Sequence, residues 1–175
     1  MFIALNTLDL WSLDDPANPA DFFSGLGEIL GETDILVVGS YGMENAAKCI
    51  LESIEYNGEA ASTPFSDTFN LNRDEYPDGK AWLLKANSRN LKALADCSSG
   101  GIDGLISSRF FDHLLAYRPG IPLIPLFDYH DAFNGGGLML SGHYDRTTIE
   151  IFSRKLNVSF ANIVNPEIKF MIECS

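Results

Sequence analysis

The chain opens on an apolar run, Met1 to Leu8, that reads as a strand, and Asn6 and Asp9 break it as a solvent-side pattern would. The segment from Trp11 to Pro19 holds two prolines and the Asp14-Asp15 pair, and reads as a connecting loop. Asn18 then stands as an N-cap, with Pro19 at the first helical position and Asp21 in the first turn, where an acid complements the helix dipole. Phe22, Phe23, Leu26, Ile29 and Leu30 recur at helical spacing, and Gly31 ends the run. Ile35 to Val38 has the pattern of a buried strand. The turn Gly39-Ser40-Tyr41-Gly42 leads into a second helical pattern, with Ala46, Ala47, Ile50, Leu51 and Ile54 on one side and a stop at Asn57-Gly58.

Residues 59–79 are small, polar and turn-forming, with Phe65, Phe69 and Leu71 as apolar anchors, and form the longest loop. Ala81 to Ala86 reads as a strand, Ser88 as an N-cap, and Leu91, Leu94 and Ala95 as a helix face ended by Gly100-Gly101. Ile102, Leu105, Ile106, Phe110, Leu114 and Tyr117 continue at helical spacing to Arg118-Pro119-Gly120. Ile121 to Phe127 and Leu138 to Leu140 flank Asn134-Gly135-Gly136-Gly137, a hairpin signal. Thr147 and Glu150 match a capping box for a helix that turns Ile149, Phe152 and Leu156 inward. Val158 to Val164 and Ile168 to Ile172 close the chain as strands. The expectation is an α/β (or α+β) fold, one domain over residues 1–175. Its sheet is mixed, parallel early and antiparallel late, and is covered by four or five helices.

Composition keeps this chain among ordinary folded proteins. Its 175 residues are 46% hydrophobic and 21% charged, so its acids are interleaved with core formers rather than gathered in a tail. Cys49, Cys97 and Cys174 are widely spaced and form no CxxC pair, which suits reduced thiols in a cytoplasmic setting. MFIALNTLDLW lacks the basic start of a signal peptide, and no apolar stretch reaches the roughly 20 residues of a membrane helix. The reading is of a soluble intracellular protein.

Charge changes the picture more. Through Asn72 the chain carries twelve acids and one base, Lys48, a balance of −11; the remainder contributes −1 to the −12 of the whole. A one-signed stretch repels nucleic acid and anionic membrane and attracts cationic surfaces. The eleven later bases are scattered, without the stripe or aromatic interleaving of a nucleic-acid platform. The first functional expectation is therefore a non-enzymatic module that neutralises a basic protein partner, in the manner of immunity proteins, antitoxins and inhibitors. Asp14, Asp15, Asp21 and Glu28 are its candidate contacts.

The second expectation is a small enzyme acting on a small molecule through acid/base chemistry or a metal. Asp128, Tyr129, His130 and Asp131 precede the glycines of the hairpin, and Ser141, His143, Tyr144 and Asp145 follow them. Imidazole and carboxylate are ligands for a divalent metal and also make acid/base pairs, so Asp128, His130, His143 and Asp145 are catalytic candidates. Asp128, His130 and His143 are the metal candidates, needing a further ligand such as His113 or Asp112; no other cofactor is expected. A two-residue turn would set Asp128 across from His143 and His130 across from Ser141. One residue of slip would set Asp128 across from Gly142 and turn His143 to the other face. In the plain structural alternative the histidines hydrogen-bond at strand ends and Asp145 caps the next helix.

Other motifs are incomplete. Gly39-Ser40-Tyr41-Gly42 is neither a phosphate-binding glycine loop nor a GxSxG elbow, and its glycines fit a tight strand-to-helix turn. Cys97-Ser98-Ser99 lies near a helix C-terminus, which raises a thiol's pKa. A third reading is a homo-oligomer with an apolar patch at a two-fold interface.

Overall fold

The first helix forms where local signals converge. In the computed structural model the Asn18 side chain accepts the Ala20 N–H at 2.9 Å, and α1 runs Pro19–Gly25 before tightening into a 3-10 turn over Leu26–Glu28. Phe22, Phe23 and Leu26 are buried on one side of it, while Asp21, Ser24 and Glu28 are exposed on the other. The structure describes residues 2–4, 9–41, 56–59, 79–99, 113–120, 124–130, 132–133, 135–164 and 171–173.

Ten strands are described: β1 (Phe2–Ala4), β2 (Leu10–Leu13), β3 (Ile35–Tyr41), β4 (Tyr56–Glu59), β5 (Gly79–Lys85), β6 (His113–Arg118), β7 (Ile124–His130), β8 (Leu138–Ser141), β9 (Phe160–Ile163) and β10 (Met171–Glu173). Strands β1 and β10 pair with each other, and the other eight form one sheet in the order β4-β5-β3-β6-β7-β8-β2-β9. Every described pairing is antiparallel. Two further helices, α2 (Ser88–Ser99) and α3 (Arg146–Leu156), flank α1.

The expected mixed sheet under four or five helices is thereby overturned. No parallel pair occurs among the described residues, and they hold three short α-helices. The apolar run of β3 suggested a parallel strand because such strands are covered on both faces. Here the same run sits in an antiparallel sheet, with Leu36 and Val38 on the helix side and Val37 fully buried on the other. Burial on two faces does not encode strand direction.

The register defines the helix-facing side. Leu36 and Val38 lie opposite Leu84 and Trp82 in β5, and opposite Ala116 and Leu114 in β6. Phe127 and Tyr129 of β7 continue the row to Leu140 and Leu138 of β8, and Leu13 of β2 completes it. Against this layer pack Phe22, Phe23 and Leu26, then Leu91 and Leu94 of α2 and Ile149, Phe152 and Leu156 of α3. A bulge in β7 between the pairs Ala116↔Phe127 and Tyr117↔Pro125 leaves Leu126 as the extra residue, so Leu126 and Phe127 both reach the core.

Several local expectations change. The helical spacing ending at Leu114 and Tyr117 gives way to β6, a central strand whose Leu114, Leu115 and Ala116 are all buried; a short apolar run fits either period. Leu10–Leu13 is a strand rather than loop, paired on both sides. The cap of α2 is Asn87, one residue before Ser88, whose Oδ1 accepts the Asn90 N–H at 2.8 Å. The cap of α3 is Asp145 rather than Thr147. The second helical pattern and most of the long loop lie outside the described residues, as does the 102–110 segment. No described helix is long and apolar enough to cross a membrane.

One buried ion pair ties the elements at one end of the sheet. Asp34 is fully buried and accepts Arg118 Nε at 2.9 Å and Nη2 at 3.0 Å, together with the Gly31 N–H at 2.7 Å. Its carbonyl accepts the Ala86 N–H at 2.7 Å. Removing one partner of such a pair strands the other charge. Arg118→Met is expected to cost about 3 kcal/mol, the low end for breaking a buried pair because the guanidinium is half exposed. Asp34→Asn should cost only about 1 kcal/mol, since the half-exposed Arg118 can turn to water. Denaturant melts of the two variants check this asymmetry; equal losses would contradict it.

The turn after β8 allows no side chain. A Cβ on Gly142 would lie 1.9 Å from the carbonyl oxygen of Asp9, so the backbones themselves are in contact. Gly142→Ala is expected to destabilise the chain by about 1–3 kcal/mol through forced backbone movement, read as a lowered denaturation midpoint.

Candidate functional site

The hairpin of β7 and β8 forms, but in neither expected register. Phe127 faces Leu140, Asp128 faces Met139 and Tyr129 faces Leu138, so Asp128 meets neither His143 nor Gly142. The wider loop has a physical cause. Tyr129 Oη accepts the Phe133 N–H at 2.8 Å and donates to a carboxylate oxygen of Asp15, whose other oxygen accepts the Gly135 N–H at 2.7 Å. Phe133 and Gly135 take positive φ, 65° and 85°. The Phe133 ring packs edge-on against Tyr129 and Phe22, with centroids at 5.1 and 5.5 Å. These contacts fold the loop back onto the core instead of closing it as a tight turn.

Of the four catalytic candidates, His143 and Asp145 stand apart from Asp128, while His130 shares a face of β7 with it. Asp128 meets His113, whose Nε2 lies 2.5 Å from its Oδ1; His113 is buried and the Asp128 side chain is 30% exposed. His130 occupies the register position opposite His113 on β7. His143 is exposed in the turn beyond β8, where its Nδ1 lies 2.9 Å from Ser141 Oγ and its N–H donates to the same oxygen. That is a local serine turn, with Ser141 itself buried. Asp145 caps α3, accepting the Thr148 N–H at 2.7 Å, and this bond holds its carboxyl below the usual range. The hairpin thus yields one His–Asp contact, and the histidine comes from β6. Among the residues whose side chains are described, no group of three or more His, Cys, Asp or Glu is placed to hold a metal ion.

The acids of the N-terminal stretch also divide. Asp15 is bound into the hairpin loop, Glu28 pairs with Lys155 at 2.9 Å, and Glu32 accepts the Ser88 N–H at 3.3 Å. Asp34 holds Arg118. Asp14 and Asp21 are exposed and carry no side-chain bond among the described residues, and the same holds for Asp9. The sequence held no sign of the links Asp34–Arg118 and Tyr129–Asp15, and offered His113 only as a possible further ligand beside Asp128. The partners lie 15 to 114 residues apart along the chain, and no local pattern marks them.

Comparison with known proteins finds no matching family model, no matching curated protein and no matching solved structure. The class defined by the structure is accordingly architectural: an antiparallel sheet with its described helices on one face.

Burial lifts three described tyrosines, Tyr117, Tyr129 and Tyr144, above their ordinary range. Tyr129 is raised by desolvation and by the Asp15 carboxylate, and Tyr144, which donates to the Ile29 carbonyl at 2.9 Å, by desolvation and by Asp34. A raised folded-state pKa means the native state retains protons that the unfolded chain loses near pH 10. Stability should be complete below pH 10 and fall as pH rises beyond it. Tyr129→Phe leaves the Phe133 N–H without its acceptor and should cost about 1–3 kcal/mol at neutral pH. It should also flatten the alkaline decline, measured as denaturation midpoint against pH; an unchanged decline would exclude Tyr129 from it.

Proposed function

We propose that this chain is a non-enzymatic binding protein for a basic protein partner. The observation that carries the reading is the segregation of charge, −11 through Asn72 against −1 beyond it. Four of the acids in that stretch carry intramolecular bonds, so among the described residues the acids without one are the exposed Asp14 and Asp21, joined by Asp9. Asp15 is bound to the hairpin loop, and Glu28, itself exposed, is shared with Lys155. Complementary potential of this kind accelerates encounter and selects cationic partners, and salt weakens it. The separation of Asp145, as a cap, and His143, in a turn, from Asp128 supports placing binding ahead of catalysis.

Capture from an extract of the source cells tests the reading. The captured basic protein should release as salt rises, and Asp14→Asn with Asp21→Asn should weaken retention while leaving the denaturation midpoint near that of the parent. Retention indifferent to both salt and the substitutions would remove the electrostatic argument.

A further inference from the structure

We infer that the outer edge of β9 is the docking line for an extended basic segment of the partner, which adds to the sheet as a further antiparallel strand; this rests on the reading of an acidic binding protein. Strand β9 ends the strand order, pairing with β2 through Leu10↔Ile163, Trp11↔Asn162, Ser12↔Ala161 and Leu13↔Phe160. In an antiparallel strand the N–H and C=O groups point alternately to the two sides, so half of those on β9 turn away from β2. The strand's side chains are open there: Ala161 and Asn162 are exposed and Val164 is 64% exposed.

Natural edge strands are blunted by lysine, proline or an inward charge. Phe160-Ala161-Asn162-Ile163-Val164 has none of these. The strand is nonetheless firmly seated, with Phe160 edge-on to Trp11 at 5.9 Å and beneath Arg146 at 6.0 Å.

Charge selects the occupant. Asp9 and Asp14 bracket β2, and the register continues to set Asp14 beside Ser159, whose carbonyl accepts the Asp14 N–H at 3.1 Å, and Asp9 beside Val164. Two exposed carboxylates thus flank the two ends of the edge, about 17 Å apart for five extended residues. Of the cations on the adjacent α3, Arg146 is paired with Glu150 at 2.8 Å and Lys155 with Glu28 at 2.9 Å, leaving Arg154. A second copy of this chain would bring its own −12 and its own aspartates to the same line. A lysine- or arginine-bearing strand brings the opposite sign together with the backbone groups the edge lacks.

The probe is a short peptide of alternating lysine and valine, with the same peptide carrying a central proline as its control, titrated into the full chain while amide resonances are followed. The alternating peptide should shift and protect amides of residues 160–164, and the proline control should bind about tenfold more weakly, the worth of a strand hydrogen bond or two. Ala161→Pro and Asn162→Pro form a complementary pair. One removes an outward N–H and should abolish the peptide effect with the fold intact, whereas the other breaks the β2–β9 ladder and lowers the denaturation midpoint. Equal binding of both peptides, binding that leaves β9 amides unmoved, or a β9-dependent dimer in ultracentrifugation would each overturn the inference. Salt-sensitive capture of the partner that ignores both proline variants would remove the edge and leave the binding reading standing; salt-insensitive capture would remove that reading itself.

Discussion

Asp34 is the point on which the arrangement of sheet and helices turns. It is a fully buried carboxylate, and three segments far apart in the chain meet at it. The Gly31 N–H fixes the exit from the α1 region, Arg118 fixes the end of β6, and the Asp34 carbonyl takes the Ala86 N–H at the end of β5. A buried charge is tolerated only when several donors converge on it. That requirement sets the stagger of β3 between its two neighbours, because Ile35 must then face Tyr117 on one side and Lys85 on the other. From this register follow the alternating rows that meet the three helices, and with them the whole helix-facing core.

The acid excess therefore has two parts with different physics. Asp15, Glu28, Glu32 and Asp34 are spent on contacts that join the N-terminal stretch to α2, β6, the hairpin loop and α3. Two of their partners, Arg118 and Lys155, belong to the part of the chain where the bases are concentrated. Exposed pairs such as Glu28–Lys155 contribute little stability, of the order of 0.5 kcal/mol, whereas the buried Asp34 carboxylate is costly to leave without Arg118. The acids left over are those without a reason to stay on stability grounds. Asp9, Asp14 and Asp21 form that remainder among the described residues, and any selective value they have is directed outward.

What the sequence disclosed was whatever is decided within a few residues. Asn18, Pro19 and the phenylalanines fix α1 because a cap and an apolar stripe act locally. Strand β5 and the inward faces of α2 and α3 were legible for the same reason. Strand direction was not, since an apolar run buried on both faces looks alike in parallel and antiparallel sheets. The hairpin register failed on one side chain: the Tyr129 hydroxyl caught the Phe133 N–H, and a left-handed Phe133 turned its ring into the core. Asn134-Gly135 could signal a reversal of the chain but not how wide it would be. His113 entered only as a possible further ligand, because the apolar spacing around it suggested a helix rather than the strand that sets it against Asp128.

The same distinction explains why charge carries the functional argument better than motif does. A catalytic constellation depends on register to within one residue, and here the register disperses Asp128, His143 and Asp145 to a histidine of β6, a serine turn and a helix cap. An excess of like charge is a sum and survives such errors; only its distribution between interior and surface had to be learned from the fold. Once Asp15 and Asp34 are assigned to the interior, the exposed acids Asp9 and Asp14 are found beside β9, a described edge whose side chains carry no charge. Sheet edges supply main-chain affinity without sequence choice, and flanking charge supplies the choice. In the proposed reading, Asp9 and Asp14, at the two ends of β2 next to β9, would combine the two within one short stretch of backbone.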